Sequence, residues 1–138
     1  MGLALLFLKK IGNILESKGI DFNKEFPIIT KEGNTRSIDY LLNKEKIIIE
    51  FFGDYWHCNP SKFNPDYYHK CLKKNASDVW KKDEKRIMDI LDVYPDHKVC
   101  IVWENDLNYF DLDEMNNQLI KSNSNKIVYD PIRKLRTS

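Results

Sequence analysis

The sequence predicts an α/β domain with a mixed central sheet of four to five strands flanked by helices. Two β-type runs, Ile47 to Phe52 and Lys98 to Trp103, are interleaved with three stretches of helical periodicity. The length of 138 residues suits one such core. A chain of that size buries roughly two-thirds of the surface its unfolded form exposes and needs no metal staple. The expected division is a single domain over residues 1–130 and a basic tail over 131–138, carrying Arg133, Lys134 and Arg136.

Leu5, Leu8, Ile11, Ile14 and Leu15 recur at helical spacing and Gly19 stands at a C-cap position, which predicts an amphipathic helix over 3–18 whose apolar face meets a sheet. Strands are expected at 22–29 and 35–42 around a turn at Lys31 to Asn34, and Asn43 to Lys46 then reverses the chain. The β-branched and aromatic run Ile47 to Phe52 reads as a central strand covered on both faces, with Glu50 as its one charge. Residues 53–75 combine Gly53, Asn59, Pro60, Asn64 and Pro65 with five aromatics, the mark of a long irregular loop with a function. Helical spacing resumes from Ala76 through Val79, Trp80, Ile87, Ile90 and Leu91. A strand at Lys98 to Trp103, a helix near Leu112 to Lys121 and an edge strand at Lys126 to Tyr129 complete the chain.

Composition narrows the function. Hydrophobic residues at 42% and charged residues at 31% exclude wholesale disorder and collagen-like repeats. Twenty-two basic against twenty-one acidic residues give +1, which excludes a uniformly basic coat, so a polyanion must be met by one face. The longest apolar run, Leu3 to Leu8, is far short of the roughly 20 residues that cross a bilayer. Neither a signal peptide nor a myristoylation signal is apparent, since Leu6 stands where the latter wants Ser or Thr. An intracellular protein without a membrane partner is expected. Cys58, Cys71 and Cys100 form an odd set without C-x-x-C spacing and read as reduced thiols.

The chemistry starts at the hairpin. A turn centred between Lys44 and Glu45 pairs residues whose numbers sum to 89, so Asp39 faces Glu50. Like charges directly opposed are destabilising, and a divalent cation removes that cost. Two carboxylates with water and phosphate ligands suit Mg²⁺, with Mn²⁺ as the alternative. A register shift, or neutralisation of one acid by Lys46 or Arg36, would remove the need for a cation. His57 leaves the sheet on the same edge as Glu50, as a catalytic group or as an ordinary hydrogen-bonded loop histidine. Asp83 lies within the apolar stripe of the second long helix, between Val79 and Ile87, and needs a partner, which Arg86 three residues on would supply in a purely structural pair.

Asp39, Glu50 and the block Gly53-Asp54-Tyr55-Trp56-His57, followed by Trp80-Lys81-Lys82-Asp83-Glu84-Lys85-Arg86 and Val99 to Glu104, together resemble the PD-(D/E)XK (restriction-endonuclease-like) nucleases. The likeness spans about residues 35–107 and is nearest to very-short-patch repair endonucleases and to phage homing endonucleases with an E-D-x-H-D motif. It implies a restriction-endonuclease-like core, with Asp39 as a metal ligand and Glu50 as the second acid. It implies further that His57 takes the role of the motif lysine, that Asp83 is the final acid, and that Tyr55 and Trp56 are aromatics wedged into DNA. Phe52 occupies the motif lysine position. Asp54 stands where the repair enzymes have a zinc cysteine, so structural zinc is not expected. The family's first-helix glutamate has no counterpart at Ala4 or Leu8, and Glu16 lies near the far end.

His57, Cys58, His69 and Cys71 are an alternative zinc set, but adjacent ligands chelate one ion poorly. Lys70, Lys73, Lys74, Lys81, Lys82 and Lys85 cluster across the loop and the following helix as a phosphate-binding strip, or as a solvated face. The function expected is a Mg²⁺-dependent DNA endonuclease of homing or nicking type, acting through metal-activated water in the bacterial host of a phage. Asp39 and Glu50 would hold the metal, His57 would act as general base or leaving-group acid, Asp83 would orient it or join a metal site, and Tyr55, Trp56, Lys73, Lys74, Lys81 and Lys82 would bind DNA. A homodimer or a separate DNA-reading domain would supply the rest of a long site. The alternative is a catalytically silent DNA-binding or scaffold protein on the same fold.

Overall fold

A computed structural model of the chain describes residues 3–131, so the basic positions Arg133, Lys134 and Arg136 lie outside the described residues. Helix α1 (Leu3–Ser17) is followed by strands β1 (Phe22–Ile29), β2 (Thr35–Leu42) and β3 (Ile47–Phe52). A long loop carries the two-residue strands β4 (Tyr68–His69) and β5 (Lys74–Asn75). Then come α2 (Ala76–Val93), β6 (Lys98–Trp103), a 3₁₀ turn (Glu104–Tyr109), α3 (Leu112–Lys121) and β7 (Lys126–Val128).

The five-stranded sheet has the order β1-β2-β3-β6-β7. The first three strands form an antiparallel meander, and β3, β6 and β7 run parallel. The α/β class with a mixed sheet is therefore as the sequence predicts. Helix α1 ends as expected at Gly19, whose φ of +68° suits a residue without a Cβ, and the Ile20 amide donates back to the Leu15 carbonyl.

The sheet is covered on both faces, which is why Ile47 to Phe52 reads as an unbroken apolar run. On one face Ile11 and Leu15 of α1 and Leu112, Met115 and Leu119 of α3 pack on Tyr40, Leu42, Ile47, Ile49 and Phe51. On the other, Ile87 and Ile90 of α2 pack on Ile38, Leu41, Ile48, Phe52, Ile101 and Trp103. Glu50 falls between Ile48 and Phe52 in the alternation of β3, which directs it to the α2 face.

Two local departures from regular pairing matter. The alternation of β2 inverts at Asp39: Tyr40 and Leu42 belong to the α1 face, whereas Ile38 belongs to the α2 face. Glu25, the β1 residue opposite Asp39, has a φ of +50°. The second departure is in the loop, which is less irregular than the sequence suggests. Its end is closed by the β4–β5 hairpin, where the Lys73 amide donates to the His69 carbonyl at 2.7 Å and Lys73 adopts a φ of +56°.

Candidate active site

Pairing between β2 and β3 runs from Leu42–Ile47 to Tyr40–Ile49 and goes no further, although β2 stays paired with β1 as far as Thr35. The sheet forks at the next pair, Asp39 and Glu50. There the carboxylates replace the missing ladder. The Asp39 amide donates to Glu50 Oε2 at 2.9 Å, and the Phe51 amide donates to Asp39 Oδ2 at 2.8 Å. The register is the one in which residue numbers sum to 89.

Two acids in this position act on each other. Burial, and then the charge of Glu50, push the Asp39 carboxyl up from 3.8 to about 7, against the opposing pull of the Phe51 amide and Arg86. Asp39 also lines a cavity of about 270 Å³ together with Leu8, Lys9, Lys24, Glu25 and Tyr40. Glu50 is 1% exposed and is neutralised by Arg86 of α2, whose Nε and Nη2 lie 3.1 and 2.8 Å from Oε1. Nη2 also donates to the Ser37 carbonyl at 2.6 Å, so the guanidinium bridges both prongs of the fork. Lys46 and Arg36 do not take this role: Lys46 pairs with Asp96 and Arg36 with Asp89.

Arg86 is thus engaged with Glu50, and of the two partners the sequence offers Asp83, Arg86 and His57, the structure brings it the histidine. Asp83 Oδ2 lies 2.9 Å from His57 Nδ1. His57 reaches it through a helical turn in which its amide donates to the Gly53 carbonyl, and its ring lies flat on Phe52, centroids 4.2 Å apart at 12°. The phenyl ring of Phe52 is therefore the platform for the histidine. Because Asp83 and Arg86 are one turn apart on α2, and Glu50 and Phe52 alternate on β3, the two polar pairs form successive rungs between helix and strand.

Beside the His57–Asp83 rung is a second cavity of about 270 Å³, lined by Trp56, His57, Leu72, Lys74, Val79, Lys82 and Asp83. Trp56 is 54% and Tyr55 40% exposed, which rules out a core role for either. They meet edge to face at 5.2 Å, and both contact the buried ring of His69. Lys73, Lys81 and Lys82 are exposed and Lys74 is half-buried. Lys85 leaves the expected strip, since its Nζ is held by Glu32 at 2.9 Å and Asp89 at 3.2 Å.

Asp54 has a structural task. It is buried and accepts from the Asn59 side chain, the Asn105 amide and Lys62, while its own amide donates to Glu104 Oε1. This network ties the aromatic loop to the end of β6. Cys58 is buried against Ala76 and Val79, and Cys71 meets the Tyr55 hydroxyl at 3.4 Å. His69 Nδ1 accepts the Leu72 amide. Among the described residues, no three His, Cys, Asp or Glu side chains form a group able to hold a metal by themselves.

Reading the sequence alone missed three contributors. Arg86 is considered there only as an alternative partner for Asp83, because neighbours on a helix are visible in sequence and a partner on a strand is not. His69 is seen only as a ligand, although it is the surface on which Tyr55 and Trp56 rest. Glu104 is quoted as part of a motif without its function of holding the Asp54 amide. No helix among the described residues is long and apolar enough to cross a membrane. No family model matches the chain, and no curated protein matches it either.

Proposed function

We propose that the chain is a Mg²⁺-dependent DNA endonuclease domain of restriction-endonuclease-like architecture, cutting a phosphodiester bond in one or both strands. The observation that carries this reading is the fork at Asp39 and Glu50, where two acids face each other as two interior strands of the sheet part, and the Asp39 carboxyl is pushed up to about 7. Burial first and the neighbouring Glu50 second disfavour the Asp39 carboxylate, a cost that a hard cation would offset. Asp39 and Glu50 would hold it. Two carboxylates suffice when waters and phosphate oxygens complete the shell, so the absence of a three-ligand group among the described residues is compatible with Mg²⁺. When bound, the cation supplies positive charge to the phosphate and acidity to a water molecule.

His57 then accepts or delivers a proton at Nε2, because Nδ1 is committed to Asp83. Asp83 fixes the ring orientation and the tautomer. Tyr55 and Trp56 offer exposed aromatic faces for stacking on bases, and Lys73, Lys74, Lys81 and Lys82 offer charge to the backbone. A second DNA-bound chain or a separate reading domain is needed for a long recognition site.

A catalytically silent DNA-binding protein is the second reading, favoured by the fact that both oxygens of Glu50 already have partners. Supercoiled plasmid separates the two. The nuclease converts it to open-circular or linear DNA with Mg²⁺ and not with chelator, whereas the silent protein retards it on a gel and leaves it intact.

A further inference from the structure

Glu50 is the least accessible acid of the fork, and its contacts show what a cation there must displace. Oε2 takes the Asp39 amide, and Oε1 takes two guanidinium donors of Arg86. Arg86 in turn is anchored to β2 through the Ser37 carbonyl, so it spans the gap opened where the strands part. A buried carboxylate requires a positive partner, and one oxygen cannot serve a bidentate guanidinium and a divalent ion at once. Among the described residues Asp39 across the fork has no such arginine hydrogen bond, and its Oδ2 takes the Phe51 amide.

We infer that Arg86 and a divalent cation are competing partners of Glu50, so that loading of the cation site is coupled to release of the Arg86 guanidinium from Oε1. This rests on the proposed nuclease reading and adds a gate to it. Without a cation the fork is closed by its own arginine and Glu50 stays compensated. With one bound, Asp39 and Oε1 of Glu50 would hold the ion, and the guanidinium would keep its Ser37 carbonyl while giving up Oε1. The competition makes the site weak for Mg²⁺ alone, and phosphate oxygens from substrate supply the extra ligands that tip the balance. Arg86 is in this account a positioning residue for Glu50.

The test uses the whole chain and Mg²⁺ alone, without DNA. The Arg86 Nε–H resonance is followed by nitrogen-edited NMR during a Mg²⁺ titration, in parallel with calorimetry on the wild type, Asp39→Asn, Arg86→Lys and Arg86→Met. The expected result is a shift of the Arg86 Nε–H signal with the same midpoint as the heat, with both responses lost in Asp39→Asn. Arg86→Met should bind Mg²⁺ roughly tenfold tighter, the scale of losing a charge-assisted hydrogen-bonded competitor, with Arg86→Lys intermediate. Should Arg86→Met fail to fold, the wild-type resonance decides by itself. Asp39-dependent heat with an unmoved Arg86 signal overturns the gate and leaves the metal site standing. No Asp39-dependent heat at any Mg²⁺ concentration overturns the gate, and the metal-dependent reading is decided separately by Mg²⁺-dependent conversion of supercoiled plasmid.

Discussion

His57 Nδ1 and Asp83 Oδ2 are 2.9 Å apart, joined across twenty-six residues of sequence from the aromatic loop to the middle of α2. The pair satisfies two needs at once: an acid on a half-apolar helix face acquires a donor, and a loop histidine acquires a fixed orientation. If the two work as one unit, His57→Ala and Asp83→Ala each lower the single-turnover cleavage rate by orders of magnitude. The double variant should then be hardly slower than the poorer single. Additive losses, after correction for folded fraction, would show that they act separately.

Phe52 supports that histidine from below. Its ring is 5% exposed, stacks on His57 and meets Trp103 edge to face at 5.3 Å. Phe52→Leu keeps most of the buried volume and removes the flat platform, so the expected cost in stability is about 1 to 1.5 kcal/mol. The rate should fall more than that loss explains, and comparing melts with rates on the same samples checks this. A rate change no larger than the change in folded fraction would reduce Phe52 to packing.

The Asp39 carboxyl gives a pH signature. In the unfolded chain it titrates near 3.8 and in the folded protein near 7, so between those values the folded state retains a proton that the unfolded state has lost. Stability without metal therefore decreases as pH rises from about 4 to about 7, and the loss is complete above the folded value. Asp39→Asn removes this contribution. The variant should gain on the wild type over that window, by no more than about 4 kcal/mol at pH 8 for a shift of about three units. Denaturant melts of both proteins at pH 4.5 and 8 measure the difference; equal gaps at the two values would refute the assignment.

Trp56 is half in solvent and contributes little to the core, so Trp56→Ala should leave the melting transition nearly where it is. If its indole stacks on a base, DNA affinity falls by roughly 1 to 3 kcal/mol. Tyr55 behaves differently, because its ring lies 4.2 Å from buried His69 and its hydroxyl meets Cys71. Tyr55→Ala is expected to loosen the loop as well as weaken binding. Hydrogen exchange over residues 53–75 distinguishes the two variants.

What the sequence reveals here follows the reach of its signals. The β3 run, the hairpin register and the helical stripes of α1, α2 and α3 are legible because they repeat every two or every three to four residues over a whole element. The meeting of Asp39 with Glu50 follows from the turn between Lys44 and Glu45, a local feature. The splitting of the ladder beyond Tyr40 is not legible, since it comes from the twist at Glu25 and Asp39 that turns Ile38 to the opposite face from Tyr40. For the same reason the partner of Arg86 is hidden. Thirty-six positions separate it from Glu50, and only the packing of α2 on β3 brings them together. In the loop, proline and asparagine signal irregularity, but the Asp54 network that orders it draws on Asn59, Lys62, Asn105 and Glu104, for which no spacing rule exists.

The most direct measurement of the central claim is single-turnover cleavage of DNA by wild type and Asp39→Asn at saturating protein and millimolar Mg²⁺, with DNA affinity and melting temperature determined on the same preparations. Mg²⁺-dependent cutting by the wild type and none by Asp39→Asn is the expected result, while the variant binds DNA about as well and melts no lower. Cleavage by Asp39→Asn at the wild-type rate would contradict the assignment of the fork as the cation site.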